Sequence, residues 1–103
     1  MTAMLQVTAT VSYELKKDFD HWYETEHLPD AKEAFKVETA FRGWDTVDPT
    51  KHHAFYMFHS IEQAQEVLGG EALKALIVEF DRVWQNKVLR QRSIIKITQR
   101  LSG

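Results

Sequence analysis

The chain of 103 residues has no cysteine, two prolines and four glycines. Without cysteine it can form no disulfide, no thiolate nucleophile and no cysteine-type zinc site. It also lacks an apolar run long enough to cross a bilayer and the basic and apolar regions of a signal peptide. We therefore expect a cytoplasmic protein without a membrane partner. The formal net charge of -2 lacks the basic excess of nucleic-acid-binding domains, so no nucleic-acid partner is expected.

What the chain does contain is an ordinary globular composition, with 44% hydrophobic and 27% charged residues. This predicts one domain over residues 1–103 with a single core. Its hydrophobic period switches between two and 3.6 residues, which predicts strands at 5–13, 37–44, 53–59 and 92–101 and main helices at 15–30 and 73–84. The order β-α-β-β-α-β is that of an α+β, ferredoxin-like domain with a four-stranded antiparallel sheet.

Two local signals refine this prediction. The first helix should break near Pro29 and continue through Ala31, Ala34 and Phe35. Ser60 should cap a short helix, with Gln63 in the reciprocal capping position, and Gly69-Gly70 should interrupt that helix.

The third strand bears on assembly because residues 54–58, AFYMF, are apolar on both faces. Two covered faces are implied, whereas a ferredoxin-like sheet has helices on one side only. A symmetric homodimer is the commonest way to cover the other side.

The first helix carries the candidate catalytic residues. At about 100° per residue, Glu26 falls near the centre of the apolar stripe and His27 lies beside Tyr23 at its edge. A buried carboxylate must find a partner or change its pKa, and such groups mark functional sites. We therefore predict Glu26 and His27 as proton-transfer groups and Tyr23 as a hydrogen-bond donor, all in the wall of a pocket of roughly 300 Å³.

Each of these residues also has a structural interpretation. Glu26 could form a buried ion pair with Arg42, His27 could complement the dipole of a helix end, and Tyr23 could be a core residue. The tryptophans could serve packing alone or line a flat aromatic pocket. The candidate substrate-binding residues are Trp22, Arg42, Trp44, Phe58 and Trp84.

The predicted topology and residues 22–29, WYETEHLP, resemble the dimeric α+β barrel superfamily, in particular its EthD-like branch. The resemblance implies two sheets packed back to back and a small-molecule cleft between helices and sheet in each subunit. Tyr23 and His27 match positions that line that cleft. Relatives by this resemblance include muconolactone isomerases, polyketide cyclases, cofactor-free monooxygenases and haem-degrading enzymes.

No metal or other cofactor is expected. The haem-degrading branch has a histidine ligand on its second main helix, and this chain has no histidine between residues 61 and 87. Glu24-x-x-His27 is a single copy of a di-iron motif that needs two copies and further carboxylates. His53 and His59 would lie roughly 20 Å apart, and His52 and His53 on opposite faces of their strand. The basic residues at positions 87, 90, 92, 96 and 100 are interpreted as a solvated or interface edge.

Three functions follow from this set. The first is a cofactor-free isomerase, cyclase or lyase that transfers a proton on a small aromatic or polyketide-like carbonyl compound. The second is a non-catalytic binding or accessory protein with the same cleft. The third, a cofactor-free monooxygenase, is less well matched because quinol-oxygenase-like relatives have an asparagine near the start of strand one, which this chain lacks.

Overall fold

The structure is a computed structural model that describes residues 2–102. Its strands are β1 (Ala3–Thr10), β2 (Ala40–Trp44), β3 (Lys51–Phe58) and β4 (Leu89–Lys96). Its α-helices are α1 (Lys16–Trp22), α2 (Leu28–Phe35), α3 (Ile61–Leu68) and α4 (Glu71–Trp84). A short 3₁₀ turn, Tyr13–Leu15, precedes α1, and a π-helical turn, Tyr23–His27, joins α1 to α2.

The four strands form one antiparallel sheet in the order β2-β3-β1-β4. This is the predicted ferredoxin-like sheet, so the predicted fold class is confirmed. The predicted boundaries of three strands are wrong. Strand β1 ends at Thr10 and not at Tyr13, β2 begins only at Ala40, and β4 begins at Leu89 and ends at Lys96. The limits of β4 follow from pairing, because Leu89 lies opposite Thr10 and Lys96 opposite Ala3, at the two ends of β1.

The core lies between the helices and one face of the sheet. Strand residues with odd numbers in β1 and even numbers in β3 face the helices, and Leu5, Tyr56 and Phe58 are almost completely buried there. The aromatic rings of Phe19 and Phe80 complete the centre of this core.

The predicted cap of α3 is confirmed. The Ser60 Oγ accepts a hydrogen bond from the Gln63 backbone N–H at 3.1 Å. The Gln63 side chain in turn accepts one from the His59 N–H at 3.0 Å, one residue before the position expected for a capping box. Gly69 and Gly70 separate α3 from α4, as predicted.

The second face of the sheet carries no helix, and we call it the open face. Phe55 and Met57 of β3 lie on it, opposite Tyr56 and Phe58, so the prediction that this strand is apolar on both faces is confirmed. Phe55 stacks on Phe41 of β2 with ring centroids 4.9 Å apart, and Phe41 is 47% exposed. The remaining apolar side chains of the strands on this face are Met4, Leu89 and Ile95.

The π-helical turn replaces the expected break near Pro29. The Leu28 N–H donates to the Tyr23 carbonyl, five residues back, instead of four as in an α-helix. Pro29 has no N–H and its ring would clash with the carbonyl of Thr25 in a regular helix, which explains the wider turn before it. The Thr25 hydroxyl also donates to the His21 carbonyl at 2.8 Å. Such a side-chain hydrogen bond competes with the backbone hydrogen bonds of the helix and favours a bend.

Candidate functional site

A cleft lies between the helical layer and the sheet. Its empty space is ≈ 360 Å³ including the open mouth, but only ≈ 20 Å³ admits the centre of a water molecule. That is about enough for one water, so the cleft is narrow in this conformation. Its polar lining consists of Tyr23, His27, Tyr56, Arg90 and Arg92. The apolar lining consists of Leu5, Val7, Ala31, Phe35, Leu73, Leu76, Ile77 and Phe80.

His27 is a buried, uncharged base. Its ring stacks on Trp22 with centroids 4.6 Å apart and meets the ring of Tyr23 at 4.8 Å. Burial, followed by the positive charge of Arg90, lowers the pKa of His27 to about 4. The Nδ1 atom is buried and has no hydrogen-bond partner among residues 2–102. Because the ring is neutral and lies inside a continuous helix, the interpretation of His27 as a charge that complements a helix end is wrong.

The two tyrosines supply hydroxyl groups that stay protonated. Burial raises the pKa of Tyr23 to about 12, and the hydrogen bond with Tyr56 opposes part of this shift. Burial also raises the pKa of Tyr56. Tyr23 comes from the π-helical turn and Tyr56 from the centre of β3, so helix and sheet each present one hydroxyl at the cleft.

Arg90 and Arg92 are lining residues that the sequence interpretation did not identify. They had been assigned to a solvated or interface edge, but the register of β4 places both on the helix side, opposite Ala9 and Val7. The Arg90 guanidinium lies 3.8 Å from the centroid of the Phe80 ring and donates to Asp81 at 2.7 Å. The sequence did contain a signal for this placement. Arg90, Arg92 and Ile94 are spaced two residues apart, and this spacing places all three side chains on the same face of a strand.

The predicted burial of Glu26 is wrong, because its side chain is exposed and does not line the cleft. The prediction assumed a constant 100° per residue, whereas the π-helical turn contains more residues per turn and rotates the following positions backwards. As a result His27, not Glu26, follows Tyr23 on the buried face.

The predicted pairing of Glu26 with Arg42 is also wrong. Arg42 instead donates to Asp20 at 2.8 Å and lies 3.8 Å from a Glu24 oxygen. The Arg42 nitrogen that donates to Asp20 is also 3.3 Å from Nε2 of the fully buried His52, whereas the other terminal nitrogen is the one near Glu24.

The candidate substrate-binding residues lie outside the cleft. Arg42 and Trp44 belong to the network around Asp20, whose Oδ1 also accepts from the Trp44 indole at 2.8 Å. The other three are buried core residues: Trp22, Phe58 and Trp84. They were predicted to bind substrate because they are aromatic. In this chain their rings mainly pack against other aromatic rings of the core.

Within residues 2–102 no group of three or more histidine, aspartate or glutamate side chains is placed to hold a metal ion. His52 and His53 face opposite sides of the sheet, as predicted. His53 lies on the open face, 3.1 Å from the Thr8 hydroxyl and 3.0 Å from Asp45. None of the helices in the described part of the chain has the length and apolar character needed to span a membrane.

No protein-family model matches this sequence, and no curated protein matches it significantly. Solved structures do resemble the fold. A proposed antibiotic biosynthesis monooxygenase from Deinococcus radiodurans has a TM-score of 0.73 at 9% identity, covering 98% of this chain and 97% of that one. An ethyl tert-butyl ether D (EthD) family protein from Bacillus halodurans has a TM-score of 0.71 at 15% identity, covering 93% and 98%.

A third similar structure is a dimeric ferredoxin-like protein from an uncultured marine organism, with a TM-score of 0.62 at 11% identity and full coverage of both chains. Identities this low establish a common fold, not a common activity. The chain is thus a ferredoxin-like α+β domain with the architecture of the EthD family protein and of the dimeric ferredoxin-like protein.

Proposed function

We propose that the cleft binds a small aromatic or polyketide-like carbonyl compound and that His27 transfers a proton on it without a cofactor. The observation that carries this proposal is a neutral imidazole with an unpartnered buried nitrogen, beside the ring of Tyr23, in a largely apolar cleft. An isomerase, cyclase or lyase of this kind needs only a base, a hydrogen-bond donor and exclusion of water.

In the proposed reaction, a neutral nitrogen of His27 takes a proton from the carbon next to the carbonyl group. The Tyr23 hydroxyl donates a hydrogen bond to the carbonyl oxygen as the oxygen gains charge in the enolate. Return of the proton from His27 to another carbon gives an isomer. Because the pKa of Tyr23 is raised to about 12, this hydroxyl acts as a donor and keeps its proton.

The narrow cleft sets a requirement on binding. Ligand pockets usually have volumes of about 300–1,000 Å³, whereas the space in this cleft that admits the centre of a water molecule is only ≈ 20 Å³. Leu76 and Ile77 of α4 are only partly buried, and their displacement would widen the mouth. Entry of a ligand therefore requires side-chain movement along α4.

Phenylpyruvate is a suitable probe because it combines an aromatic ring with a carbonyl group that enolises. The protein in D₂O should accelerate exchange of its benzylic protons for deuterium, followed by proton NMR. His27→Ala should abolish the acceleration and Tyr23→Phe should reduce it about 100-fold, the low end of what loss of one oxyanion donor costs. His21→Ala, which removes an exposed histidine of α1, is the matched control and should leave the rate unchanged.

A folded wild-type protein that binds phenylpyruvate without accelerating exchange would contradict the catalytic proposal. That result would support the second candidate, a non-catalytic binding protein that uses the same cleft.

Oxygenation is a further candidate because two of the similar structures are proposed antibiotic biosynthesis monooxygenases. The enzyme would insert one oxygen atom of O₂ into the ligand and reduce the other to water with electrons from the ligand. Uptake of oxygen with menadiol, above the rate of a His27→Ala control, would favour this candidate over proton transfer.

We also propose that two copies pair through their open faces as a homodimer. The apolar side chains of Met4, Phe41, Phe55, Met57 and Ile95 support this pairing, and one of the similar structures is a dimeric ferredoxin-like protein. Polar side chains on the same face, such as Gln6 and Thr8, leave room for water at the interface.

A further inference from the structure

The lining of the cleft carries an excess of positive charge. Its two charged residues are both arginines, Arg90 and Arg92, and no carboxylate is among the lining residues of the described chain. Asp81 outside the cleft compensates Arg90 at 2.7 Å. Within residues 2–102, Arg92 forms no ion pair with a carboxylate. One positive charge at the cleft therefore has no carboxylate partner among the described residues.

The two arginines are held close together by the sheet. They alternate on β4, so their Cα atoms are about 7 Å apart and their side chains leave the strand on the same face. The Arg90 side chain is 15% exposed and is fixed between Asp81 and the face of Phe80. Burial and the neighbouring charge of Arg92 lower the pKa of Arg90, whereas Asp81 opposes this shift, so Arg90 lies in the repulsive field of Arg92. An anion beside them would relieve this repulsion.

We propose that the cleft selects an anionic ligand, whose carboxylate or phenolate oxygen is bound by Arg90 and Arg92 while its apolar part packs against Leu73, Leu76 and Ile77. This inference rests on the proposed ligand site and adds the charge of the ligand. Arginine suits the task because its planar group donates two parallel hydrogen bonds to a carboxylate.

The negative charge of the ligand also changes the pKa of His27. Burial, Arg90 and Arg92 lower the pKa of His27, and Glu79 of α4 opposes them. The other titratable groups around the cleft, Tyr23 and Tyr56, remain neutral at pH 7. An anion that compensates the arginines therefore raises the pKa of His27 and makes its nitrogen a stronger base when the ligand is in place.

The experiment compares acids with their uncharged amides, namely benzoate with benzamide and salicylate with salicylamide, by calorimetric titration at pH 7. We expect each acid to bind about tenfold more tightly than its amide, since charge-assisted hydrogen bonds are about twice as strong as neutral ones. Arg92→Gln should bring the ratio close to one. Lys96→Gln is the matched control, because it removes a charge from the same strand and face but outside the cleft.

Arg92 is chosen over Arg90 because it is exposed and forms no ion pair with any residue from 2 to 102, so its replacement spares the fold. As a second measurement, NMR titration of the His27 ring should show a higher pKa with benzoate bound and no change with benzamide. Equal affinity for acid and amide, or binding of none of the four compounds, would overturn the inference.

The two proposals fail in different ways. Selective binding of the acids without deuterium exchange on phenylpyruvate would keep the anion site and contradict catalysis. Exchange on methyl phenylpyruvate as fast as on the acid, with no preference for acids over amides, would keep catalysis and contradict the anion site.

Discussion

At the scale of single residues, Oδ1 of Asp20 accepts two short hydrogen bonds. Arg42 and the Trp44 indole both donate to it at 2.8 Å, which ties α1 to the edge strand β2. The hydrogen bond from Arg42, then that from Trp44, lowers the pKa of Asp20. Arg42 is also a neighbour of Glu24, but at 3.8 Å and with a carboxylate side chain that is 69% exposed.

This difference predicts that the loss of each of the two neighbouring carboxylates lowers the free energy of unfolding by a different amount. Asp20→Ala should lower the free energy of unfolding by about 1–3 kcal/mol, because the half-buried donors of Arg42 and Trp44 lose their acceptor. Glu24→Ala should change it by less than about 0.5 kcal/mol, as expected for an exposed pair. Urea unfolding of both variants measures the two costs, and equal values would contradict the assigned role of Asp20.

The sequence reveals part of this residue-scale picture. Tyr23 and His27 were predicted as pocket residues, and both line the cleft. Their chemical roles remain predictions. The partner of Arg42 was missed because Asp20 lies on the polar side of the helix, where a sequence shows only that a charge is solvated. A pairing between a helix residue and a strand residue depends on the position of the helix relative to the sheet. The periodicity of the sequence gives no information on that position.

At the scale of elements, the π-helical turn determines which side chain enters the cleft. It contains one residue more than an α-helical turn would need, so the faces of α1 and α2 stay in phase despite the wider turn. Sequence periodicity could not reveal this, because a constant rotation per residue was assumed over the whole helix. Pro29 was the only signal, and it was interpreted as a break.

A deletion tests this description. In a Pro29→Ala background, which restores the missing N–H, deletion of Thr25 should convert the turn to regular α-helix and preserve cooperative unfolding. Deletion of Val78, an exposed residue of the regular helix α4, in the same background is the control. It should cost about 3 kcal/mol or more, because it rotates the buried Phe80 and Trp84 out of the core. Urea unfolding compares the two, and equal losses would mean that the turn has no surplus residue.

At the scale of the whole molecule, two buried histidines couple stability to pH. Burial is the main cause that lowers the pKa of His27 to about 4 and of His52 to about 3. In the unfolded chain both should titrate with the ordinary histidine pKa of about 6.5. Between these values the unfolded state binds more protons than the folded state, so acid favours unfolding.

We therefore expect the free energy of unfolding to be highest above pH 6.5 and to fall as the pH decreases towards 4. The loss should be on the order of 3 kcal/mol per histidine across its full window. Urea unfolding at pH 7, 5.5 and 4.5 measures the slope. His27→Leu and His52→Leu should each flatten it, whereas His21→Ala, at an exposed position, should not. A flat profile of the wild-type protein would show that neither histidine is held neutral.

The two faces of the sheet predict different outcomes for two phenylalanines of β3. Phe58 is 1% exposed in the core, so Phe58→Asp should prevent folding, as an unpaired buried charge costs several kcal/mol. Phe55 lies on the open face, so Phe55→Asp should leave a folded chain that no longer dimerises. Circular dichroism and analytical ultracentrifugation measure folding and assembly. A wild-type protein that is monomeric at micromolar concentration would contradict the proposed homodimer.

The overall fold could be predicted because it depends on which residues alternate and where the period changes. The four strands, the two main helices and the two-sided β3 follow from that pattern. The shape of the cleft does not, because it is set by how far α4 lies from the sheet and by the reach of Arg90 and Arg92 from β4. These are distances between elements that are far apart in sequence.

The extra residue in the π-helical turn also gives the fold a route to new chemistry. An insertion or deletion in a strand or a regular helix turns every later side chain away from its neighbours, so selection removes most of them. Here a change of length confined to one turn alters which side chain of that turn faces the cleft and leaves the strands unchanged. The same scaffold can in this way present a different functional group to its cleft with no change in its strands.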